Sequence, residues 1–183
     1  MKLQKITKQT NNKFLNMYTA TYAGEKEYNY FFCSRRENNI QNINVCDAVK
    51  VLPYIKETNE IVFIKNFRYA FNEFLYELPA GLVDENEDLV AAAKRELYEE
   101  TGASVVSIKE ISGIGSSSAG VTDETIKLYF AEVELNGQQH LDEFENINVV
   151  KVKLNDVLTF MQNNNVDILT ELMVKLFLAE NKY

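Results

Sequence analysis

Histidine occurs once in the 183 residues, at His140, and cysteine twice, at Cys33 and Cys46. A lone histidine in a polar stretch argues against a Ser-His nucleophile and against a His-metal site. The two cysteines give neither zinc-ligand spacing nor a disulfide framework. No apolar run approaches the about 18 residues of a membrane span, and no signal peptide is visible. The expectation is a soluble, cytoplasmic protein. Positive charge is also scarce. With 19 Lys and Arg against 27 Asp and Glu, the formal net charge is −8. That balance argues against a nucleic-acid or membrane-surface partner. No internal repeat or low-complexity tract appears.

What is present is enough apolar residue for a sizeable core, 46% of the chain. Residues 14–22 and 28–33 are rich in aromatic and β-branched side chains around Gly24, and they read as a hairpin. The polar N-terminus, 1–12, reads as frayed or as a short edge strand. The polar stretch 35–44 reads as a linker, so a small β module is expected over 1–44 and a second segment over 45–183. In that segment 48–55, 60–65, 105–111, 126–133 and 147–152 read as strands. Residues 154–161 and 166–180 read as helices. On the last, Ile168, Leu169, Leu172, Met173, Leu176 and Phe177 form an apolar stripe expected to pack. Strands and helices without regular βαβ alternation indicate an α+β domain with a mixed sheet.

The stretch 81–103, GLVDENEDLVAAAKRELYEETGA, organises the rest. Its second half is rich in helix formers, with Asp88 placed as N-cap and Gly102 as C′ stop. Leu89, Val90, Ala93 and Leu97 share an arc that would face a core. Glu96, Glu99 and Glu100 fall beside it, with spacing that puts three carboxylates on one face. Like charges there repel, and the helix dipole disfavours anions in a last turn. Two readings remain open on these grounds: a solvated acidic face, or a seat for a hard divalent cation, which takes oxygen ligands.

The stretch resembles the Nudix box, the signature of the Nudix hydrolases. Gly81, Glu87, Arg95-Glu96-Leu97, Glu99-Glu100 and Gly102 match its fixed positions, and Ala103 fills the last aliphatic slot with a small residue. Upstream, Phe67-Arg68-Tyr69 and Glu77-Leu78-Pro79-Ala80-Gly81 look like the ADP-ribose pyrophosphatase branch, as do the N-terminal hairpin and the loop 117–124. A proline that marks ADP-ribose specificity in that branch is matched here by Ala119. GDP-sugars, UDP-sugars, dinucleotides and a non-catalytic nucleotide-binding role therefore stay open.

The resemblance implies a Nudix fold, an α/β/α sandwich around a curved mixed sheet, with the small β module mediating a homodimer. It implies metal-dependent hydrolysis of a nucleoside diphosphate sugar, with ADP-ribose giving AMP and ribose 5-phosphate. The cofactor would be Mg2+, with Mn2+ an alternative. Glu96, Glu99 and Glu100 would be ligands, with the carbonyl of Ala80 or Gly81 as backbone ligand. Arg95 would orient carboxylates, with Glu87 as partner. Glu99 or Glu124 would serve as base. Arg68, Arg35 and Arg36 would contact substrate, and Gly81 would let the chain approach closely. The long Gly/Ser loop 113–124 is expected to be mobile and to close over the diphosphate.

Overall fold

Residues 61–64, Ile-Val-Phe-Ile, are all buried. Successive side chains of a strand point to opposite faces, so this strand must be covered on both. The structure, a computed structural model, describes residues 1–38 and 40–181. Asn39 of the expected linker, and Lys182 and Tyr183 of the expected second segment, lie outside the described residues. In chain order the elements are β1 (Lys2–Lys8), β2 (Asn16–Ala23), β3 (Tyr28–Ser34), β4 (Ala48–Ile55), β5 (Glu60–Arg68), β6 (Glu73–Glu77), β7 (Ala80–Leu82), α1 (Leu89–Thr101), β8 (Ala103–Glu110), β9 (Gly115–Ser116), β10 (Thr125–Leu135), β11 (Ile147–Lys153), α2 (Val157–Gln162) and α3 (Ile168–Asn181). The chain divides into two compact units, Met1–Ala48 with Ile114–Ile126, and Val49–Gly113 with Lys127–Tyr183.

The first unit holds the antiparallel sheet β1-β2-β3. The polar N-terminus is thus an edge strand. Tyr18 and Phe32 sit opposite each other and stack at 5.7 Å between ring centroids, burying a small core with Ala20. The segment 114–126 belongs to this unit rather than to the second. Cys33 donates to the Val121 carbonyl, Tyr30 Oη to Gly120, and β9 pairs with the start of β10.

The second unit is an α+β sandwich. Its sheet runs β11-β5-β4-β10-β8, with β6 added to β5 and β7 to β4. The two faces separate by strand parity. Ile61, Phe63, Leu52 and Phe130 pack with Val157 and Met161 of α2 and with Met173 and Phe177 of α3. Val62, Val49, Val51, Tyr129 and Ala131 pack with Ala92, Ala93 and Leu97 of α1.

Two features depart from expectation. The aromatic stretch after β5 forms a further hairpin strand, β6, turned at Asn72 with φ +53°. The apolar stripe of α3 does not pack as a unit. Met173 and Phe177 are buried with Thr170, Val174 and Leu178, whereas Ile168, Leu172 and Leu176 are exposed. The first turn of α3 is pinned through Asp167 and Thr170, which fixes the rotation of the helix about its axis.

Candidate active site

Helix α1 begins and ends where its sequence indicates. Asp88 accepts from the Val90 and Ala91 amides, and Gly102 turns the chain with φ +70°. Ala92, Ala93 and Leu97 anchor the inner face, so the neighbouring arc presents Glu96, Glu99 and Glu100 at the edge of the core. The end of the helix is held from outside by residues 137–140, a polar stretch with no local signal for that role. Gly137 N–H donates to the Gly102 carbonyl, His140 N–H to Glu99 and Gln139 Nε2 to Glu100. These donors serve last-turn carbonyls that have no partner within a helix. A side chain at Gly137 would come within 2.8 Å of Tyr98. His140 is exposed, as expected, with its ring stacked on Tyr98.

Arg95 gathers the acids. Its Nε and Nη2 grip Glu87 at 2.9 and 2.8 Å, Nη2 also reaches the Leu82 carbonyl, and Nη1 bridges Glu96 at 2.8 Å and Glu99 at 3.1 Å. The guanidinium hydrogen bonds push Glu87 down to about 2. Glu96 is pushed up by its burial, with Arg95 opposing and the charges of Glu99 and Glu145 adding to the rise.

Glu100 is different. It is 4% exposed. Its Oε2 accepts the Ala80 amide at 2.9 Å. Burial pushes its carboxyl up to about 8, against the Ala80 hydrogen bond and with the charges of Glu96 and Glu145 reinforcing the rise. Gly81 lies against the half-buried Glu96: a Cβ there would sit 2.0 Å from the Glu96 carboxyl carbon. This is the close approach that only glycine permits.

Glu145 is the acid that sequence reasoning missed. It lies in the loop before β11, a polar stretch with no pattern of its own, yet its charge acts on both Glu96 and Glu100. Its loop is tied to the end of β5, with Phe67 N–H donating to the Asn146 carbonyl and Tyr69 Oη to the Phe144 carbonyl. Arg68, expected at phosphate, is half exposed and makes a two-point contact with buried Glu77, through Nε at 2.7 Å and through Nη2.

The remaining expected residues belong to the first unit. Glu124 pairs there with Arg35 at 3.2 Å and with Ser117 Oγ at 3.0 Å. Its loop carries several tethers to that unit, where mobility was expected. Arg36 was expected at substrate, but it is buried as a crosslink, bonded to Asp47 and to the carbonyls of Asn42 and Val45. The same unit contains a cavity of about 390 Å3 lined by Tyr22, Tyr30, Phe32, Ala119, Thr122 and Asp123, among others. The Asp123 side chain is 9% exposed; Oδ2 accepts the Gln41 amide, while buried Oδ1 has no hydrogen-bond partner among the described residues.

The three box glutamates were expected to converge. Among the described residues, no group of three or more His, Cys, Asp or Glu is gathered about one point. The reason is local: Arg95 holds Glu96 and Glu99, and the Ala80 amide holds Glu100. The donor chemistry nonetheless fits a hard divalent cation. A buried carboxylate and the glycine cradle place Glu96 and Glu100 against the backbone at 80–81, and all of these offer oxygen.

An α/β/α sandwich that presents an arginine-gripped acidic helix beside a glycine strap defines a class, and comparison with known proteins agrees. The profile of the NUDIX domain matches residues 44–172, and the chain belongs to the Nudix family. An ADP-ribose pyrophosphatase of Bacillus subtilis (strain 168) is 32% identical over 121 residues, 65% of this chain and 64% of that protein. An ADP-sugar pyrophosphatase of Mus musculus is 41% identical over 59 residues, 31% of this chain and 27% of that protein. The chain therefore spans less than two thirds of these relatives' own length. A solved structure of an ADP compounds hydrolase superposes with a TM-score of 0.74 at 16% identity, covering 99% of this chain and 96% of that one. That likeness concerns the fold. No helix among the described residues is long and apolar enough to cross a membrane.

Proposed function

We propose that this chain is a cytoplasmic, metal-dependent pyrophosphohydrolase of nucleoside diphosphate sugars, with ADP-ribose as its leading substrate. The observation that carries the reading is the apposition of buried Glu100 and Glu96 to the Ala80-Gly81 backbone. A sequence selected for folding alone would not bury a carboxyl to which, among the described residues, a single amide donates. Glu96, Glu100 and the Ala80 carbonyl would hold Mg2+ or Mn2+, with Glu99 joining once Arg95 yields it. A bound cation supplies neutralisation of the phosphate oxygens and a lowered pKa for water.

The chain's own residues supply the rest. Arg95 orients Glu96 and Glu99 while Glu87 holds Arg95 in place. Arg68 offers a fork-shaped contact to diphosphate oxygens. Glu99, Glu124 and Glu145 are the candidates for the base that takes a proton from water. Water oxygen bonds to one phosphorus, the bridging P–O bond breaks, and AMP and ribose 5-phosphate leave. The aromatic cavity of the first unit offers Tyr22, Tyr30 and Phe32 as surfaces for a nucleobase. Ala119 in its wall leaves that cavity free of the proline the branch carries. Met17 and Phe31 are exposed on one face of the first sheet and would be covered in a homodimer.

Purified protein incubated with Mg2+ and a panel of ADP-ribose, GDP-sugars, UDP-sugars and dinucleotides tests this by release of AMP, GMP or UMP. AMP from ADP-ribose is the expected dominant product. The rival is a Nudix module that binds nucleotide without hydrolysing it, favoured by the hold of Arg95 on Glu96 and Glu99. Binding without product across the panel would establish the rival.

A further inference from the structure

The strap 76–80 carries the backbone to the acidic helix, and most of its polar groups meet backbone or the helix itself. Tyr76 N–H donates to the Asn165 carbonyl and Asp167 N–H to the Tyr76 carbonyl. Val51 N–H donates to the Pro79 carbonyl at 2.9 Å, and the Ala80 amide reaches Glu100. Leu78 is the exception. Its N–H donates at 2.9 Å to a side chain, Thr170 Oγ1.

That hydroxyl is the centre of a buried polar knot. Thr170 is fully buried and donates to Asp167 Oδ2. It also accepts from Lys50 Nζ at 3.3 Å. Lys50 is 5% exposed and meets Asp167 Oδ2 at 2.8 Å. Asp167 Oδ1 in turn accepts the Leu169 and Thr170 amides at the start of α3. A threonine hydroxyl has one proton and two lone pairs, so each of its capacities is used. Burying an ion pair is costly, and apolar side chains of similar volume often serve stability as well or better. Lys50 of β4 and Asp167, just before α3, thus converge on the Thr170 hydroxyl that holds one peptide group of the strap.

Beyond Pro79 the chain continues to Ala80 and Gly81, against Glu100 and Glu96. We infer that Lys50, Asp167 and Thr170 form a positioning lock that sets the strap against helix α1 and so holds the carboxylates in register for a divalent cation. None of the three touches the reacting atoms. The inference rests on reading Glu96 and Glu100 as the cation seat.

Thr170→Val removes the hydroxyl at nearly constant shape, and Thr170→Ser restores it. Three quantities are measured: Mn2+ affinity by calorimetry, exchange of the Ala80 amide in metal-free protein, and kcat with KM. Thr170→Val is expected to weaken Mn2+ about tenfold, speed Ala80 exchange about tenfold, and lower kcat about tenfold with KM within about twofold. Thr170→Ser is expected to return all three to near wild type. Should Thr170→Val not fold, Lys50→Gln, which keeps a donor without the charge, is read in the same way and expected to shift in the same direction. A folded variant with reduced Tm but wild-type Mn2+ affinity and wild-type Ala80 exchange would reduce the knot to a stabilising feature and overturn the inference. Wild-type protein that binds no Mn2+ would instead sink the reading of the carboxylates, while Ala80 exchange would still decide whether the lock sets the strap.

Discussion

Arg95 and Glu87 form a two-point ion pair, Nε to Oε1 at 2.9 Å and Nη2 to Oε2 at 2.8 Å, and the third arm of the guanidinium bridges Glu96 and Glu99. A lysine offers no fork of this kind. Arg95→Lys is therefore expected to lower kcat by about ten- to a hundredfold at saturating metal, with only a small change in Tm, because the pair is partly exposed. Steady-state kinetics alongside thermal melts check this. An unchanged kcat would remove the orienting role.

Gly81 is the tightest backbone approach at the site. A methyl group there would overlap the Glu96 carboxylate at 2.0 Å. Gly81→Ala should push Glu96 out of place, cutting kcat by about a hundredfold and destabilising the protein by ~1–3 kcal/mol from overpacking. Metal titration of the variant should show the same loss as its kinetics. Normal metal affinity would mean that Glu96 is not a ligand.

Glu100 makes metal-free stability depend on pH. Its carboxyl rises from an ordinary 4.5 to about 8 in the folded chain. A raised carboxyl contributes stability that is full below the unfolded value and is lost as pH rises through the folded one. In chelator, Tm should fall between about pH 5 and 8 through this group, and Glu100→Gln should flatten that part of the curve. Divalent metal must displace the proton, so its affinity should climb over the same window. Equal slopes for wild type and Glu100→Gln would show that Glu100 is not the group responsible.

Two loop acids compete with Glu99 of the helix for the role of base. Glu145 acts electrostatically on Glu96 and Glu100, whereas Glu124 is paired with Arg35 in the first unit. Glu145→Gln is expected to lower kcat by about a hundred- to a thousandfold with little change in KM and to remove the acidic limb of the pH–rate profile. Glu124→Gln is expected to have the smaller effect. The reverse order would return the role to Glu124.

Phe31 is 61% exposed and Met17 is 44% exposed. They stand on the same face of the first sheet, because Phe31 pairs with Thr19, two residues from Met17. Apolar side chains so placed suit an isologous contact. Sedimentation should find a dimer at micromolar concentration, and Met17→Ser with Phe31→Ser should shift it toward monomer. A wild-type monomer would dismiss the assembly.

Helix α1 was legible residue by residue, because its signals are local. A capping aspartate, a run of helix formers and a glycine at the left-handed position act within a few residues of one another. The resemblance to the Nudix box named Glu96, Glu99, Glu100 and Arg95, and it implied Glu87 as the partner of Arg95. The hairpin β2-β3 was legible from its aromatic and β-branched residues around Gly24 for the same reason.

Other features depend on groups far apart in sequence, and only the tertiary structure decided them. Arg36 is a buried crosslink because Asp47 and the carbonyls of Asn42 and Val45 close around it. Glu145 gains its influence because its loop is tied to β5. The apolar residues of α3 were visible, but the face they turn inward was not. Hydrophobic periodicity fixes an arc only when nothing else sets the rotation. Here a lysine on β4, an aspartate and a threonine set it, and no local pattern in the sequence records that they meet.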